Sequence, residues 1–261
     1  MRKSVYIICV CVLMVLVFYE AGRGENKKNG GVYVPAARLM SQLEKENKQE
    51  EKGKKVAYLT FDDGPSYNTE KILDILKEKK AVSSFFIIGK DISEEKEKII
   101  KRALEQGNAV GVHTYCHEQC NIYKDKEHFF SDYDKAEKVL ENILGKKPTL
   151  HRFPWGSNNG FVSSFVDSLI EELQRRGVRS FDWNVSGEDS VGADVPEQTI
   201  FANVKRDLTR YDKPIILLHD SAAMNHTTAV LPQIIDYIRE QGYEFDTLEN
   251  HSGYLFPASW R

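Results

Sequence analysis

The chain has 261 residues, of which 41% are hydrophobic and 29% charged, a balance typical of a soluble globular protein rather than a disordered one. Its formal net charge of −3 gives no support for nucleic-acid binding, which usually shows as a basic domain or patch. Four cysteines are too few for a disulfide-dense scaffold.

The N-terminus is predicted to be an export signal over residues 1–22. Arg2 and Lys3 precede an apolar run of 15 residues, Val5–Tyr19, as in a secretory signal peptide. The run is shorter than the roughly 20 residues of a membrane-spanning helix. No clear cleavage site follows it, so an uncleaved signal anchor is the alternative, and either one places the rest of the chain outside the cytoplasmic membrane. Residues 23–55 are polar and are predicted to form a linker.

From residue 56 onward, short apolar stretches alternate with amphipathic ones. The predicted strands are Val56–Phe61, Ser83–Ile88, Ala109–Val112, Leu150–Phe153, Arg179–Trp183, Ile215–Leu218 and Glu244–Leu248. The predicted helices are Glu70–Glu78, Glu94–Gln106, Tyr133–Leu144, Val162–Arg176, Glu197–Leu208 and Leu231–Gln241. This alternation is typical of right-handed β/α units around a parallel sheet. About seven units favour an α/β fold, a distorted (β/α)7-type barrel, as a single domain over residues 56–261.

In such barrels the reactive side chains gather at the carboxyl ends of the strands. Asp62 and Asp63 follow the first predicted strand; they point in different directions, so they can take separate tasks, although a capped turn is the alternative interpretation. His113 and His117 follow the third strand and would face the same way if the segment formed a helical turn. With Asp63 they would form a metal site of two imidazoles and one carboxylate.

Further candidates follow two later strands. Arg152 is placed to bind a carboxylate through two parallel hydrogen bonds, or to form a structural ion pair. Trp155 suits a sugar-stacking platform or a rim position. His219 can act as a general acid, and Asp220 can cap the next helix or orient a neighbour. A metal, a free carboxylate, an arginine and a histidine are sufficient for metal-assisted hydrolysis.

Four of these motifs occur in the order and spacing of a known family. They read Thr60-Phe61-Asp62-Asp63-Gly64-Pro65, His113-Thr114-x-x-His117, Arg152-x-Pro154-Trp155 and Leu217-Leu218-His219. Together they resemble the signatures of the polysaccharide deacetylases, the NodB-homology enzymes of carbohydrate esterase family 4, over about three quarters of the chain. The resemblance implies a distorted barrel that removes N-acetyl groups from a hexosamine polymer, or less often O-acetyl groups from another glycan. A short N-terminal anchor, a charged linker and a single catalytic domain suit an enzyme that works at the cell wall, so the N-acetylglucosamine of peptidoglycan is the expected substrate.

The resemblance also implies a role for each matched residue. Asp62 would be the general base and His219 the general acid. Asp63, His113 and His117 would hold one divalent ion. Zinc is the first expectation for that ion, with cobalt, nickel or iron as alternatives, because this donor set accepts all four.

Four further positions are implied to support the reaction. Arg152 would orient the base, and Thr114 would steady the loop between the two histidine ligands. Pro154 and Trp155 would border the substrate, with the Trp155 backbone N–H helping to hold the oxyanion.

One motif departs from the family's pattern, in which an Asp pairs with the acidic histidine and a Trp follows it. Asp189 fits this register best, with Ser190 in the place of the Trp; Asp182-Trp183 is the alternative. We therefore expect Asp189 to pair with His219 and the groove to be more open beside Ser190.

Two other functions use part of the same residue set. An esterase could remove O-acetyl groups from xylan or an exopolysaccharide with the same chemistry, and a glycan-binding protein could keep the groove without catalysis. The expected partner is an N-acetylated polysaccharide, with a membrane involved only through an uncleaved N-terminal segment. The sequence indicates neither a nucleic-acid partner nor a protein partner.

Overall fold

A computed structural model describes residues 54–90, 92–192 and 194–257. The strands are β1 Val56–Gly64, β2 Ser83–Ile88, β3 Ala109–Thr114, β4 Leu150–His151, β5 Arg179–Ser180, β6 Val185–Ser186, β7 Ile215–His219 and β8 Glu244–Phe245. The helices are α1 Tyr67–Glu78, α2 Glu94–Glu105, α3 Gln119–Ile122, α4 Lys126–Leu144, α5 Val166–Arg175, α6 Glu197–Leu208 and α7 Asn225–Glu240.

The strands pair in parallel in the order β5-β4-β3-β2-β1-β7-β6, and β8 pairs with the beginning of β1. The sheet curves into a partial barrel, and the C-terminal segment adds a parallel bridge from Tyr254 to Phe181, just after β5. The predicted distorted α/β barrel is confirmed. Because all the strands are parallel, their carboxyl ends meet at one edge of the sheet, where the candidate residues were predicted to gather.

The helices cover the sheet with their apolar faces. In α1 the residues Ile72, Leu73 and Leu76 are buried, as their spacing predicts. Each such side chain contributes about 1.5–3 kcal/mol when it is fully buried. The helix begins at a capping box in which the Ser66 N–H donates to Thr69 Oγ1 (2.8 Å) and the Ser66 hydroxyl accepts from the Thr69 N–H; this hydroxyl also accepts a hydrogen bond from the Asn68 N–H (3.0 Å).

The element bounds differ from the prediction where local chemistry overrides the periodic pattern. Helix α4 begins at Lys126 rather than at Tyr133, because the Asp125 carboxylate accepts a hydrogen bond from the His128 N–H (2.8 Å) and caps an earlier turn. Strand β6 is absent from the prediction, since two residues show no periodicity.

Among the described residues, no helix is long and apolar enough to cross a membrane. The apolar run predicted to be a signal peptide or anchor lies outside them, as does the predicted linker except for its last two residues, Lys54 and Lys55.

Candidate metal centre and catalytic cleft

Two of the predicted metal ligands lie at irregularities in the sheet. The register between β1 and β2 skips Asp63, and the register between β2 and β3 skips His113. An extra residue of this kind turns a side chain out of the ladder, and such bulges are common beside active sites. Asp63 also has a φ of 73°, in the left-handed region. The irregular backbone therefore lets Asp63 and its neighbour Asp62 serve different partners.

The third predicted ligand reaches the site by a different backbone than expected. The helical turn that would make His113 and His117 face the same way does not form, because β3 continues to Thr114 and a bend follows it. His117 has a φ of 54°, and its N–H donates to Thr114 Oγ1 at 3.3 Å. The two imidazoles nevertheless meet, with ring centroids 5.3 Å apart.

The three side chains fit a divalent metal ion. Asp63 Oδ1 lies 3.4 Å from His113 Nε2 and 3.3 Å from His117 Nε2. A tetrahedral zinc site with bonds of about 2.0–2.1 Å has ligand atoms about 3.4 Å apart. Asp63 Oδ1 is buried and lacks a hydrogen-bond partner within the described residues, as expected of an atom reserved for a cation.

The hydrogen bond of His113 and the charge of Asp63 also suit metal binding. His113 Nδ1 lies 3.0 Å from the Arg152 carbonyl oxygen, an acceptor, so the Nδ1–H donates there and Nε2 is the ring nitrogen that faces Asp63. Burial alone would raise the pKa of Asp63, but its interactions with His113, His117 and His219 lower that pKa overall. The carboxylate is therefore ionised at neutral pH, which is the form that binds a metal.

Asp62 is held by a buried arginine. Arg152 Nη1 donates to Asp62 Oδ1 at 2.9 Å, and neither side chain is appreciably exposed. The predicted pair of parallel bonds to one carboxylate is wrong. The same guanidinium also donates to Thr60 Oγ1 (2.7 Å) and to the carbonyl oxygens of Phe181 (2.9 Å) and Asp182 (3.2 Å), so a single bond reaches Asp62. These bonds fix the guanidinium and hence the orientation of the carboxylate.

The structure brings Asp189, rather than Asp182, to the candidate acid. Asp189 Oδ1 lies 2.8 Å from His219 Nδ1, and Asp189 Oδ2 accepts bonds from the His219 N–H (2.8 Å) and the Thr227 hydroxyl (2.7 Å). Asp182 accepts bonds from the N–H (2.8 Å) and hydroxyl (2.5 Å) of Ser157 instead. His219 Nε2 faces the cleft and lies 3.4 Å from the Ser190 hydroxyl oxygen.

Replacement of Asp189 by Asn should move the basic limb of the pH–activity profile to lower pH. Burial alone would lower the pKa of His219, but the bond and charge of Asp189, with the charges of Asp62 and Asp63, raise it to about 9. A cation beside Asp63 would offset part of this rise. Loss of the Asp189 charge lowers the pKa of His219, so the protonated acid disappears at lower pH, and we expect a shift of about one unit or more in kcat against pH.

Asp182→Asn is the matched control for that profile, because Asp182 is equally buried but does not contact His219. Its basic limb should coincide with that of the unaltered protein, even if its activity is lower. An unmoved limb in Asp189→Asn would remove Asp189 from the role of partner to the acid.

The candidate base, the candidate acid and the three metal ligands line one cleft of about 360 Å³. Its lining comprises Asp62, Asp63, His113, His117, Trp155, Trp183, Ser186, Glu188, Ser190, Val191, Leu217 and His219.

Trp155 is 44% exposed, and its ring lies 4.7 Å from that of His117. It has a φ of 62° in a turn closed by the Gly156 N–H and the Phe153 carbonyl oxygen (2.9 Å), with Pro154 as the preceding corner residue. A non-glycine residue held in this conformation is typical of a functional turn.

One interpretation of the sequence was that Asp220 caps the next helix, but the structure does not show this cap. The buried Asp220 Oδ2 accepts a bond from the Thr69 hydroxyl (2.5 Å) in the first turn of α1. Burial, together with the charges of Asp63 and Asp62, raises the pKa of Asp220 to about 7. A Cβ at Gly64 would lie 2.3 Å from Asp220 Oδ2, so this carboxyl leaves room only for glycine in the Asp-Asp-Gly-Pro turn.

Sequence reasoning missed one carboxylate beside the site. Asp132, in the middle of α4, is buried and accepts hydrogen bonds from the Thr114 hydroxyl (2.5 Å) and from the N–H groups of Tyr115 (2.7 Å) and Cys116 (3.0 Å). Its helix was predicted to begin at Tyr133, so no signal in the sequence connected Asp132 with the histidine motif.

The fold and the cleft define a barrel enzyme whose reactive groups lie at the carboxyl ends of parallel strands. The family model described as polysaccharide deacetylase matches residues 49–176. A peptidoglycan-N-acetylglucosamine deacetylase from Bacillus cereus is 32% identical over 212 residues, covering 80% of this chain and 74% of that protein. The chain belongs to the polysaccharide deacetylase family, as its motifs predict, and is a hydrolytic deacetylase.

Solved structures agree with this assignment. The catalytic domain of a peptidoglycan N-acetylglucosamine deacetylase from Eubacterium rectale is similar with a TM-score of 0.71 and 26% identity, over 78% of this chain and 92% of that one. The polysaccharide deacetylase Bc1974 from Bacillus cereus gives a TM-score of 0.67 and 30% identity, over 78% of this chain and 97% of that one.

Proposed function

We propose that this chain is a metal-dependent enzyme that removes N-acetyl groups from the N-acetylglucosamine of peptidoglycan. The observation that carries the proposal is that Asp62 and His219 line the same cleft as the cluster of Asp63, His113 and His117. The cleft thus offers a base, an acid and a cation site to one bound acetamide. The similarity to peptidoglycan N-acetylglucosamine deacetylases from Bacillus cereus and Eubacterium rectale supports peptidoglycan as the polymer.

The reaction is the hydrolysis of an amide to acetate and an amine. A divalent ion, when bound, polarises the acetyl carbonyl and lowers the pKa of water. Asp62, held by Arg152, accepts a proton from the attacking water. His219, kept protonated by Asp189, donates a proton to the departing amine nitrogen. The Trp155 N–H stabilises the negative charge that develops on the carbonyl oxygen.

The proposed metal is zinc, which takes imidazole and carboxylate ligands at the separations seen here. Cobalt, nickel and iron remain alternatives, because the same donors accept them. A site with three protein ligands leaves a position open for water or substrate, as in catalytic zinc sites.

The proposed place of action is outside the cytoplasmic membrane. Residues 1–22 would act as a signal peptide or anchor and residues 23–55 as a linker to the catalytic domain, residues 56–261. The similarity to a peptidoglycan deacetylase supports this location, since peptidoglycan lies outside that membrane.

The substrate is tested by measuring acetate release from peptidoglycan, chitooligosaccharides and acetylated xylan in parallel, with metal-loaded protein. Release from the first two but not from xylan is expected. Release from xylan alone would replace the amidase with an O-acetyl esterase that uses the same residues. Glycan binding without release from any of them would favour a binding protein.

A further inference from the structure

The loop that carries the third metal ligand is not supported by regular structure. It spans residues 115–118, between the end of β3 and the start of α3. His117 has a φ of 54°, a conformation that costs a non-glycine residue free energy unless its surroundings hold it. A ligand on such a loop must be fixed from outside if its imidazole is to meet Asp63 and His113 with defined geometry.

The Asp132 carboxylate supplies that support. Its Oδ2 accepts hydrogen bonds from the Thr114 hydroxyl (2.5 Å) and the Tyr115 N–H (2.7 Å), and its Oδ1 accepts one from the Cys116 N–H (3.0 Å). Three consecutive residues immediately before His117 are therefore tied to one side chain.

The chain of bonds continues to the ligand itself. The Thr114 hydroxyl gives its proton to Asp132, so its oxygen is free to accept a hydrogen bond from the His117 N–H at 3.3 Å. The carboxylate thus fixes both the direction of this hydroxyl and, through it, the backbone of the ligand.

Asp132 is itself held by a rigid element. It is 8% exposed and lies on α4, where Phe129, Tyr133 and Ala136 are buried in the core. Burying a carboxylate is costly unless donors satisfy it, and the loop provides those donors. An amide would not substitute, because its NH₂ group would face a backbone N–H or the threonine hydroxyl.

We propose that Asp132 is a positioning residue that sets the affinity of the site for a divalent ion by holding the His117 loop. The inference rests on the proposed metal site but concerns a residue that touches neither metal nor substrate. Residues that orient a metal ligand in this way typically change metal affinity by about 10–100-fold when they are replaced.

The test is a zinc titration of the full chain against a competing chelator, at one pH, for the unaltered protein and for Asp132→Asn. We expect the zinc Kd of Asp132→Asn to be about 10–100-fold higher, which means weaker binding. Asp134→Asn is the matched control, because Asp134 lies on the same helix but is exposed and pairs with Arg176 (2.5 Å). Its zinc Kd should stay within about twofold.

Thermal unfolding of the metal-free proteins separates positioning from folding. If Asp132→Asn does not fold, Thr114→Val decides, since it removes only the hydroxyl between the carboxylate and the His117 N–H and should also weaken zinc binding. A folded variant that binds zinc as tightly as the unaltered protein would overturn the positioning role of Asp132 but not the proposed metal site. If the unaltered protein bound no divalent ion, both the role of Asp132 and the proposed metal dependence would be overturned.

Discussion

Asp62→Asn should lower kcat for acetate release by about 10²–10⁴-fold, the range in which a general base contributes to a reaction. The amide keeps the shape of the side chain and can still accept the hydrogen bond from Arg152 Nη1. It cannot accept the proton of the attacking water. The loss should therefore fall on kcat, with little change in KM or in zinc affinity.

The control for this variant is Asp125→Asn, which changes an exposed carboxylate at the start of α4. Its kcat should remain near that of the unaltered protein. If purified Asp62→Asn, loaded with metal, kept its activity, Asp62 would not be the base.

Arg152→Met should destabilise the folded protein by about 3–5 kcal/mol, the usual effect of removing one partner from a buried ion pair. The reason is the isolation of the Asp62 carboxylate. Arg152 has no exposed surface and Asp62 is only 3% exposed, so the side of the carboxylate that faces the guanidinium is closed to bulk water. The same substitution leaves the Thr60 hydroxyl and the Phe181 carbonyl oxygen without this donor. Chemical denaturation measures the free energy of unfolding.

Two further variants separate charge burial from lost packing. The double variant Asp62→Asn, Arg152→Met carries no buried charge at this pair and should regain part of the lost stability. Arg176→Met is the surface control. Its guanidinium pairs with Asp134 and Glu172 and is partly exposed, so the expected loss is no more than about 1 kcal/mol. A loss for Arg152→Met as small as that of Arg176→Met would contradict the account of Asp62 as a held carboxylate.

The sequence predicted the architecture because the fold depends on periodicity and strand order. Helix α6 coincides with the predicted Glu197–Leu208, and β2 with Ser83–Ile88. The carboxyl ends of parallel strands necessarily share one edge, so residues far apart in the chain could be assigned to one site from the pattern alone. Asp62 and His219, for example, are register partners of β1 and β7.

The detailed geometry could not be predicted in the same way, because it depends on irregular backbone. Asp63 and His113 lie where the strand register skips a residue, and a bulge has no periodic signal. The spacing of the two histidines offered a helical turn as one way for them to meet, but the backbone between them is a bend. The Asp132 carboxylate accepts hydrogen bonds from the Thr114 hydroxyl and from the Tyr115 and Cys116 N–H groups in the bend after β3, and these contacts span 16 to 18 residues of sequence.

The other hydrogen-bond acceptors of Arg152 could not be predicted from the sequence either. The residue type indicated a carboxylate partner, and Asp62 is that partner. The oxygens that accept the remaining hydrogen bonds belong to Thr60 in β1 and to Phe181 and Asp182 just after β5, which only the tertiary structure brings together. A buried guanidinium binds whichever acceptors the packing places near it, because each N–H left without a hydrogen bond would destabilise the fold.

The most direct test of the proposed function is acetate release from N-acetylated peptidoglycan fragments by protein stripped of metal, before and after one equivalent of zinc is added. We expect no release from the stripped protein and recovery of activity on addition of zinc. His117→Ala should show no recovery at the same zinc concentration, because it lacks one of the three ligands. Undiminished release by the stripped protein would contradict the metal-dependent mechanism.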